Sequence, residues 1–501
     1  MPIPRSELLN EPRENPLQTN LLRCGILVLA GAMSACAVGP DYRPPELPVP
    51  PAWNSQPASG FRVESPESST LASWWTSFND PALDGLVRRA IDENKTVRQA
   101  IASVVAARAR RSIAVAGFLP NVSASAGASR SDSDRSVSSS GVLVDSSQET
   151  YDAGVDASWE IDVVGGQRRS LESSTASLAA TEEDLRDVLV ILLGDVALSY
   201  VDVRTTQSRL TFAERNLASQ KEVLDIAGWR ADAGLATILD VEQAKTSYAQ
   251  TQAQIPALES GLAASLNRLA VLTGQRPGAL QDELGERKAL PTVPLEFVSS
   301  VPAEVMRRRP DIRGAERRLA AQTAEVGVAT AALYPSLSLS GSIGVTSSSA
   351  SDLISDGFQS NRFGVGVNLP VFNGGALRQN IKIQNALVDQ ALAGYEATVL
   401  AAYEEVENAL TQWVNEQRRH EALVQAASSA RIASELALVQ YNSGLVDFQT
   451  VLTADRQLIS TEDSLAVSDG EIAANLIRLY RAFGGGWSVF PPAATAAAGT
   501  P

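Results

Sequence analysis

Phe118-Leu119-Pro120-Asn121-Val122-Ser123 and Leu333-Tyr334-Pro335-Ser336-Leu337-Ser338 are one phrase written twice, 215 residues apart. Upstream, Val97-Arg98 and Ala100 answer Ile312-Arg313 and Ala315 at the same separation. Downstream, Gly165-Gly166 and Arg169 answer Gly374-Gly375 and Arg378 at 209. Gly234-Leu235, Val241, Ala244, Arg268-Leu269 and Gly274 answer Gly444-Leu445, Val451, Ala454, Arg478-Leu479 and Gly484 at 210. A separation held across whole halves marks an internal duplication. The step from 215 to 209 falls between two strand candidates, so the first half carries six more residues in that loop.

Each half reads helix, strand, loop, strand, long helix, turn, helix. Asn79 or Asp80 can cap a helix that has Pro81 at its first position, and Ala-rich helical sequence continues to Gly117. Pro120 breaks it. Val122, Ala124, Ala126 and Ala128 then alternate with polar residues, as a strand with two unlike faces does. A Ser/Asp-rich loop, Ser131–Ser147, leads to a return strand over Tyr151–Asp162. Gln167–Arg230 is helical, 64 residues without proline, roughly 95 Å at 1.5 Å per residue. A second helix is expected over Ala236–Thr273. The second half repeats the order: helix over Asp311–Leu333, alternation at Leu337, Leu339, Gly341, Ile343 and Val345, the loop Ser347–Ser360, alternation at Phe363, Val365, Val367 and Leu369, and a long helix over Ala376–Tyr441. Helices of this length suggest coiled-coil-like packing.

Composition narrows the function. The 501-residue chain has a formal charge of −15, which excludes a basic footprint for nucleic acid. It has one histidine, His420, and two cysteines, Cys24 and Cys36, both near the start. Histidine catalysis, most zinc or copper sites and downstream disulfides are thereby disfavoured. No apolar stretch reaches eighteen residues, so a bilayer crossing would have to use strands closed into a barrel. Acidic pairs such as Glu182-Glu183 and Glu404-Glu405 are expected on solvated helix faces rather than in acid–base roles, and His420 is expected to be exposed. No catalytic residue, metal site or cofactor is expected. The chain has no P-loop, so any energy-requiring step would have to draw on a partner.

Arg23 precedes a short apolar run, Gly25–Ala32, too short to span and fitting a signal-peptide core. Met33-Ser34-Ala35-Cys36 resembles a lipoprotein cleavage site, with Cys36 as the lipid-bearing first residue of the mature chain and Ala37 after it. The leader takes three basic and three acidic residues with it, leaving the charge unchanged. The prolines between residues 37 and 70 favour an extended strap.

The strand candidates are about ten residues long, the length of a tilted transmembrane β-strand. Phe118 and Tyr334 stand at their starts and Trp159 and Phe372 at their finishes, as interfacial aromatics do. Single-chain membrane barrels begin at about eight strands, so four call for several copies sharing one barrel. Both strand pairs leave and return on one side, which puts all helices on that side and the Ser/Asp-rich loops on the other.

Several runs together resemble the TolC-type outer-membrane factors, and most closely the lipoprotein branch, NodT-like, that serves resistance–nodulation–division efflux pumps. They are Cys36-Ala37-Val38-Gly39-Pro40-Asp41-Tyr42-Arg43-Pro44-Pro45, Trp74-Trp75-Thr76-Ser77-Phe78-Asn79-Asp80-Pro81, and Arg308-Arg309-Pro310-Asp311-Ile312 continuing through Ala315-Glu316 to Tyr334-Pro335. The resemblance implies an α+β membrane protein: a trimeric twelve-stranded outer-membrane β-barrel, four strands per chain, continuous with a long periplasmic α-helical barrel. It implies a homotrimer, a periplasmic adaptor and an inner-membrane pump as partners, and contact with outer-membrane lipid. The chain then divides into a leader, 1–35; a lipid-anchored strap, 36–70; a first repeat, 71–274; a linker, 275–301; a second repeat, 302–484; and a tail, 485–501. Val163-Val164-Gly165-Gly166 departs from the family's usual leucine-phenylalanine-glycine turn, a change expected to stay local.

The same resemblance places a gate at the turns Gly234-Leu235 and Gly444-Leu445. Asp240 matches an acidic gate position and Tyr441 a gate tyrosine. Thr450 and Thr453 fall where relatives often carry aspartates, so an acidic ring would be weakened or moved to Asp447 or Asp455. The expected function is a passive exit duct for small molecules handed over by an inner-membrane pump. A duct for type I-like protein secretion is the alternative, and a purely structural coiled-coil lipoprotein would leave the strands unexplained.

Overall fold

The computed structural model describes residues 37–46, 50, 52–54, 61–63, 71–137, 143–291, 297–299, 302–355 and 357–487. Cys36, the leader and the end of the tail lie outside them. In chain order the elements are β1 (Phe61–Val63), α1 (Pro81–Glu93), α2 (Lys95–Ala116), β2 (Asn121–Val137), β3 (Leu143–Ile161), α3 (Gly166–Asp232), α4 (Ile238–Leu272), α5 (Gln281–Leu284), β4 (Phe297–Ser299), α6 (Pro302–Arg308), α7 (Pro310–Ala331), β5 (Ser336–Ser347), α8 (Asp352–Ser355), β6 (Phe358–Asn368), α9 (Ala376–Asn442) and α10 (Phe448–Ala482). The order helix, two strands, 67-residue helix, 35-residue helix occurs in both halves.

Two compact units emerge. The first gathers Arg108–Ser177 and Arg318–Ala391 with the described residues 37–44. Its sheet has the order β2-β3-β5-β6, every pair antiparallel. The strands start where the prolines end the helices, at Asn121 and Ser336. The first hairpin, however, reaches far into the segment expected to be a loop. Asp132 pairs with Ser147 and Ser133 with Ser146, because ladder bonds use backbone groups and tolerate Ser and Asp side chains. The second loop holds the short helix α8.

The second unit gathers the described residues of Pro45–Ala107, Leu178–Arg317 and 392–487. Trp74 stacks on Tyr480 with ring centroids 5.2 Å apart and meets Trp75 and Phe78 edge-on. Leu83, Leu86 and Val87 of α1, Leu189, Leu193 and Val196 of α3, and Leu476, Ile477 and Leu479 of α10 join that core. Asp80, not Asn79, caps α1, accepting from Ala82 N, and its other oxygen takes the Tyr200 hydroxyl.

Helix was expected to run unbroken to Gly117. It breaks at Asn94, whose Oδ1 accepts from the backbone N–H groups of Thr96 and Val97, the competition for backbone bonds that makes Asn a helix starter. Pro256 lies inside α4 without ending it. The strap and linker each supply three residues to a parallel pair, Phe61–Val63 with Phe297–Ser299, which local pattern does not show.

Three expectations about charge are corrected. Glu183 is buried and bridges Arg186 and Arg313. Glu405 bonds Arg309, which also holds Asp311 and the Ala482 carbonyl. His420 is half-buried, with Nε2 2.7 Å from Asp469 Oδ1. In each case a second helix passes over a face that would be solvated on a lone helix.

Candidate functional site

The sheet has two unlike faces because the register keeps the apolar positions of all four strands in line. Val122, Ala124, Ala126 and Ala128 stand opposite Ala157, Val155, Ala153 and Tyr151. These stand opposite Gly341, Ile343, Val345 and Ser347, followed by Trp159 opposite Leu339 and Ile161 opposite Leu337. β6 adds Phe363, Val365 and Val367 opposite Gly341, Leu339 and Leu337, then turns polar at Asn361 and Gln359. The other face carries Ser123, Ser125 and Gly127 opposite Asp156, Gly154 and Asp152, then Ser342, Gly344 and Thr346, with Arg362 and Ser360 on β6.

The apolar rows run from Tyr151 to Ile161 on β3. Eleven residues span about 34 Å along a strand, or about 26 Å in height at the tilt usual in membrane barrels, which matches their apolar band of about 25 Å. Beyond Tyr151 the same face turns charged, Arg130 lying opposite Glu149 at 3.4 Å. At the other end Trp159 donates from Nε1 to the Phe118 carbonyl, and Tyr334 and Phe372 are exposed. Val122, Ile343, Phe363, Val365 and Val367 are each more than 60% exposed in the single chain, an apolar surface that calls for lipid or protein against it. Among the described residues, neither edge, β2 or β6, has a further strand partner.

The helical turns are the second feature. α3 ends with Gly234 N donating to Ala231 O and Leu235 N to Arg230 O; α9 ends with Gly444 N on Tyr441 O and Leu445 N on Gln440 O. This is the same paired C-cap twice, and it needs the left-handed backbone that Gly234 (φ +72°) and Gly444 (φ +76°) supply. Leu235 and Leu445 project from the turns, 70% and 75% exposed.

The next helices start with one device in two orders. Thr237 caps α4 and Asp240 returns a bond to Thr237 N at 2.9 Å. Asp447 caps α10, accepting from Thr450 N at 3.0 Å and from its Oγ1 at 2.7 Å. The threonine at 450 is thus the partner of an aspartate moved three residues upstream. Thr453 is exposed and donates from its hydroxyl to Gln449 O of its own helix.

Behind the turns a small core joins Val223 and Ala227 of α3, Ala244 of α4, Ala437 and Tyr441 of α9, and Phe448, Val451 and Leu452 of α10. Arg230 crosses between the hairpins. Its Nη1 donates to the Tyr441 and Asn442 carbonyls at 3.0 and 3.2 Å, and its guanidinium lies 4.5 Å over the Tyr441 ring. A cation on the last carbonyls of α9 also complements that helix's dipole. Burial pushes the Tyr441 phenol up from its ordinary pKa; Arg230 opposes this and the charge of Asp240 adds to it.

Asp455 is placed elsewhere. It lies seven residues after Phe448, on the core face of α10, buried and bonded by Gln220 Nε2, which also donates to Ser247. Burial raises its carboxyl, with Gln220 opposing. The turn region therefore unites Asp240, Tyr441 and the unforeseen Arg230, while Asp455 belongs to a buried polar layer. Arg230 had no local signal, since its partners lie more than 200 residues away in sequence.

The comparisons agree over nearly the whole chain. The family model for outer membrane efflux protein matches residues 86–275 and 301–485. Nodulation protein T of Rhizobium leguminosarum bv. viciae is 33% identical over 466 residues, covering 93% of this chain and 94% of its own. The toluene efflux pump outer membrane protein TtgI of Pseudomonas putida is 32% identical over 466 residues, covering 93% and 97%. The solved outer-membrane channel OprN superposes with a TM-score of 0.81 at 36% identity, over 90% of this chain and all of that one. The chain belongs to the outer membrane efflux protein family, and its place is the outer membrane, with its helices in the periplasm.

Proposed function

We propose that this chain is the outer-membrane channel subunit of a tripartite efflux system, a passive exit duct for small molecules delivered by an inner-membrane pump through a periplasmic adaptor. The observation that carries this reading is the two-faced sheet. One face is suited to lipid and the other to water, and neither edge is paired among the described residues. A buried or lipid-exposed edge must be paired. A β2 edge from a second copy would meet β6 antiparallel, continuing the alternation. Three copies would give a closed twelve-stranded barrel, and equal helix lengths in the two halves support a tandem repeat as the building unit. The polar face would line the duct.

In the same reading the turns form the resting gate and meet the adaptor. The exposed Leu235 and Leu445 suit an apolar partner surface, and Arg230, bonded to the Tyr441 and Asn442 carbonyls, ties the two hairpins together. Cys36 is acylated and anchors the chain. That relatives serve toluene efflux and nodulation leaves the cargo open within small molecules. The test is a deletion strain challenged with antibiotics, dyes and organic solvents. Raised susceptibility restored by the intact chain supports the duct; unchanged susceptibility to every compound, alongside loss of a secreted protein, overturns it in favour of protein secretion.

A further inference from the structure

Residues 37–41 are not a loose strap; they sit in a socket built from both halves of the first unit. Val38 N donates to the Val164 carbonyl at 3.0 Å. The turn that departs from the family pattern at Val163-Val164 is therefore also a receptor for the N-terminus, a role beyond the local one expected of it. Arg169 of α3 is buried, and among the described residues three of the four hydrogen bonds of its side chain go to this segment. Nε donates to Val38 O at 3.1 Å, Nη2 to Gly39 O at 3.4 Å and to Asp41 Oδ1 at 2.7 Å, while Nη1 takes Glu172 at 2.8 Å.

The fit is tight at backbone level. A Cβ on Gly39 would lie 2.4 Å from Gly327 Cα, and one on Gly165 would lie 2.5 Å from Ala37 Cα. Gly327 belongs to α7 and is itself covered by the Arg169 stem. The segment thus wedges between α3 of one half and α7 of the other. Such close approach leaves no room for any side chain. The Asp41 carboxylate is exposed and its ion pair is weak. The two carbonyls on a buried guanidinium are the part that would be costly to lose.

The socket lies at the foot of the apolar face. Ile161, the last apolar residue of β3, precedes Gly165 by four residues, at most about 14 Å of chain. Cys36 precedes Ala37 directly. We infer that Arg169, Val164, Gly165 and Gly327 form a seat for the lipid-bearing N-terminus, with Arg169 as the positioning residue that sets where the anchor enters the membrane relative to the sheet. This rests on the acylation of Cys36 proposed above. A seated anchor holds the foot of each sheet at headgroup level, so that copies meet edge to edge. An unseated one hangs on a flexible tether and leaves the sheets unaligned.

The test is a double-mutant cycle on the full-length chain in cells. Arg169→Met, which keeps the stem and removes the donors, and Arg169→Lys are placed in two backgrounds: the natural leader, and Cys36→Ser exported on a leader removed without acylation. Mass spectrometry of the N-terminus is run on each preparation, and the multi-chain assembly in outer membranes is quantified. In the acylated background Arg169→Met is expected to lower assembly about tenfold, and in the unacylated one at most about twofold. Arg169→Lys should recover part of the loss. Equal losses in both backgrounds would make Arg169 merely structural and overturn the inference alone, as would no loss in either. An unmodified Cys36 in the natural-leader chain would overturn the acylation reading and this inference with it.

Discussion

Asp240 has two separable roles. Its carboxylate closes the capping box on Thr237 N, and its charge acts on the buried Tyr441 phenol. Asp240→Ala removes both. Asp240→Asn keeps an acceptor for Thr237 N and removes the charge. If charge near Tyr441 helps hold the turns shut, both variants should conduct more in planar bilayers and sensitise cells to vancomycin. If only capping matters, the asparagine variant should match wild type. Loss of the charged group from the first turn is expected to cost about 0.3–1 kcal/mol of local helix stability, too little to unfold the tip.

Asp187 makes a second residue-scale prediction. Burial raises its carboxyl to about 6; Asp311, Asp184 and Glu405 add to the rise while Arg309 opposes it. A carboxyl raised in the folded state binds its proton more tightly there than in the unfolded chain. Its contribution is therefore full at low pH and is lost as pH rises from its ordinary value through about 6. Asp187→Asn should melt higher than wild type at pH 7.5, and the gap should close by about pH 5. A gap of constant size across that range would show that Asp187 does not titrate there. Neither residue could have been assigned its distant neighbours from sequence. Asp187 meets residues more than 120 positions on, and Arg230, which completes the Asp240 cluster, looks like any helix arginine until α9 passes beside it.

At the scale of elements, the sheet makes the sharper claim. Ile343 sits mid-band, in line with Val155 and Ala124. Ile343→Arg should cost about 2–4 kcal/mol on a lipid-facing position and deplete the chain from outer membranes. Ser340→Arg, three residues earlier on the polar face opposite Ser158 and Gly364, should be tolerated. Equal depletion by both would mean that the two faces do not see different solvents. Much of this was legible beforehand. Alternation marked both faces, and Pro120 and Pro335 marked where strands begin. Proline-free runs placed the long helices to within two residues, because a helix of such length has few ways to end other than the glycine turns. The hairpin's reach into Ser/Asp-rich sequence was not legible, since backbone pairing leaves no composition signal. The β1–β4 pair was hidden because it joins segments more than 230 residues apart.

For the whole molecule, the edges β2 and β6, unpaired among the described residues, and the apolar face between them are what the proposed closure of the sheet by further copies would satisfy. A single chain could not close four strands around a duct, and an open sheet in lipid would leave two rows of backbone groups without partners. Native mass spectrometry of the full-length chain, extracted from outer membranes in mild detergent, tests this most directly. A barrel shared by three copies should appear as a species of three chains, each carrying an acylated Cys36, with no substantial population of lower order. A stable species of one or two chains that still conducts in a bilayer would contradict it.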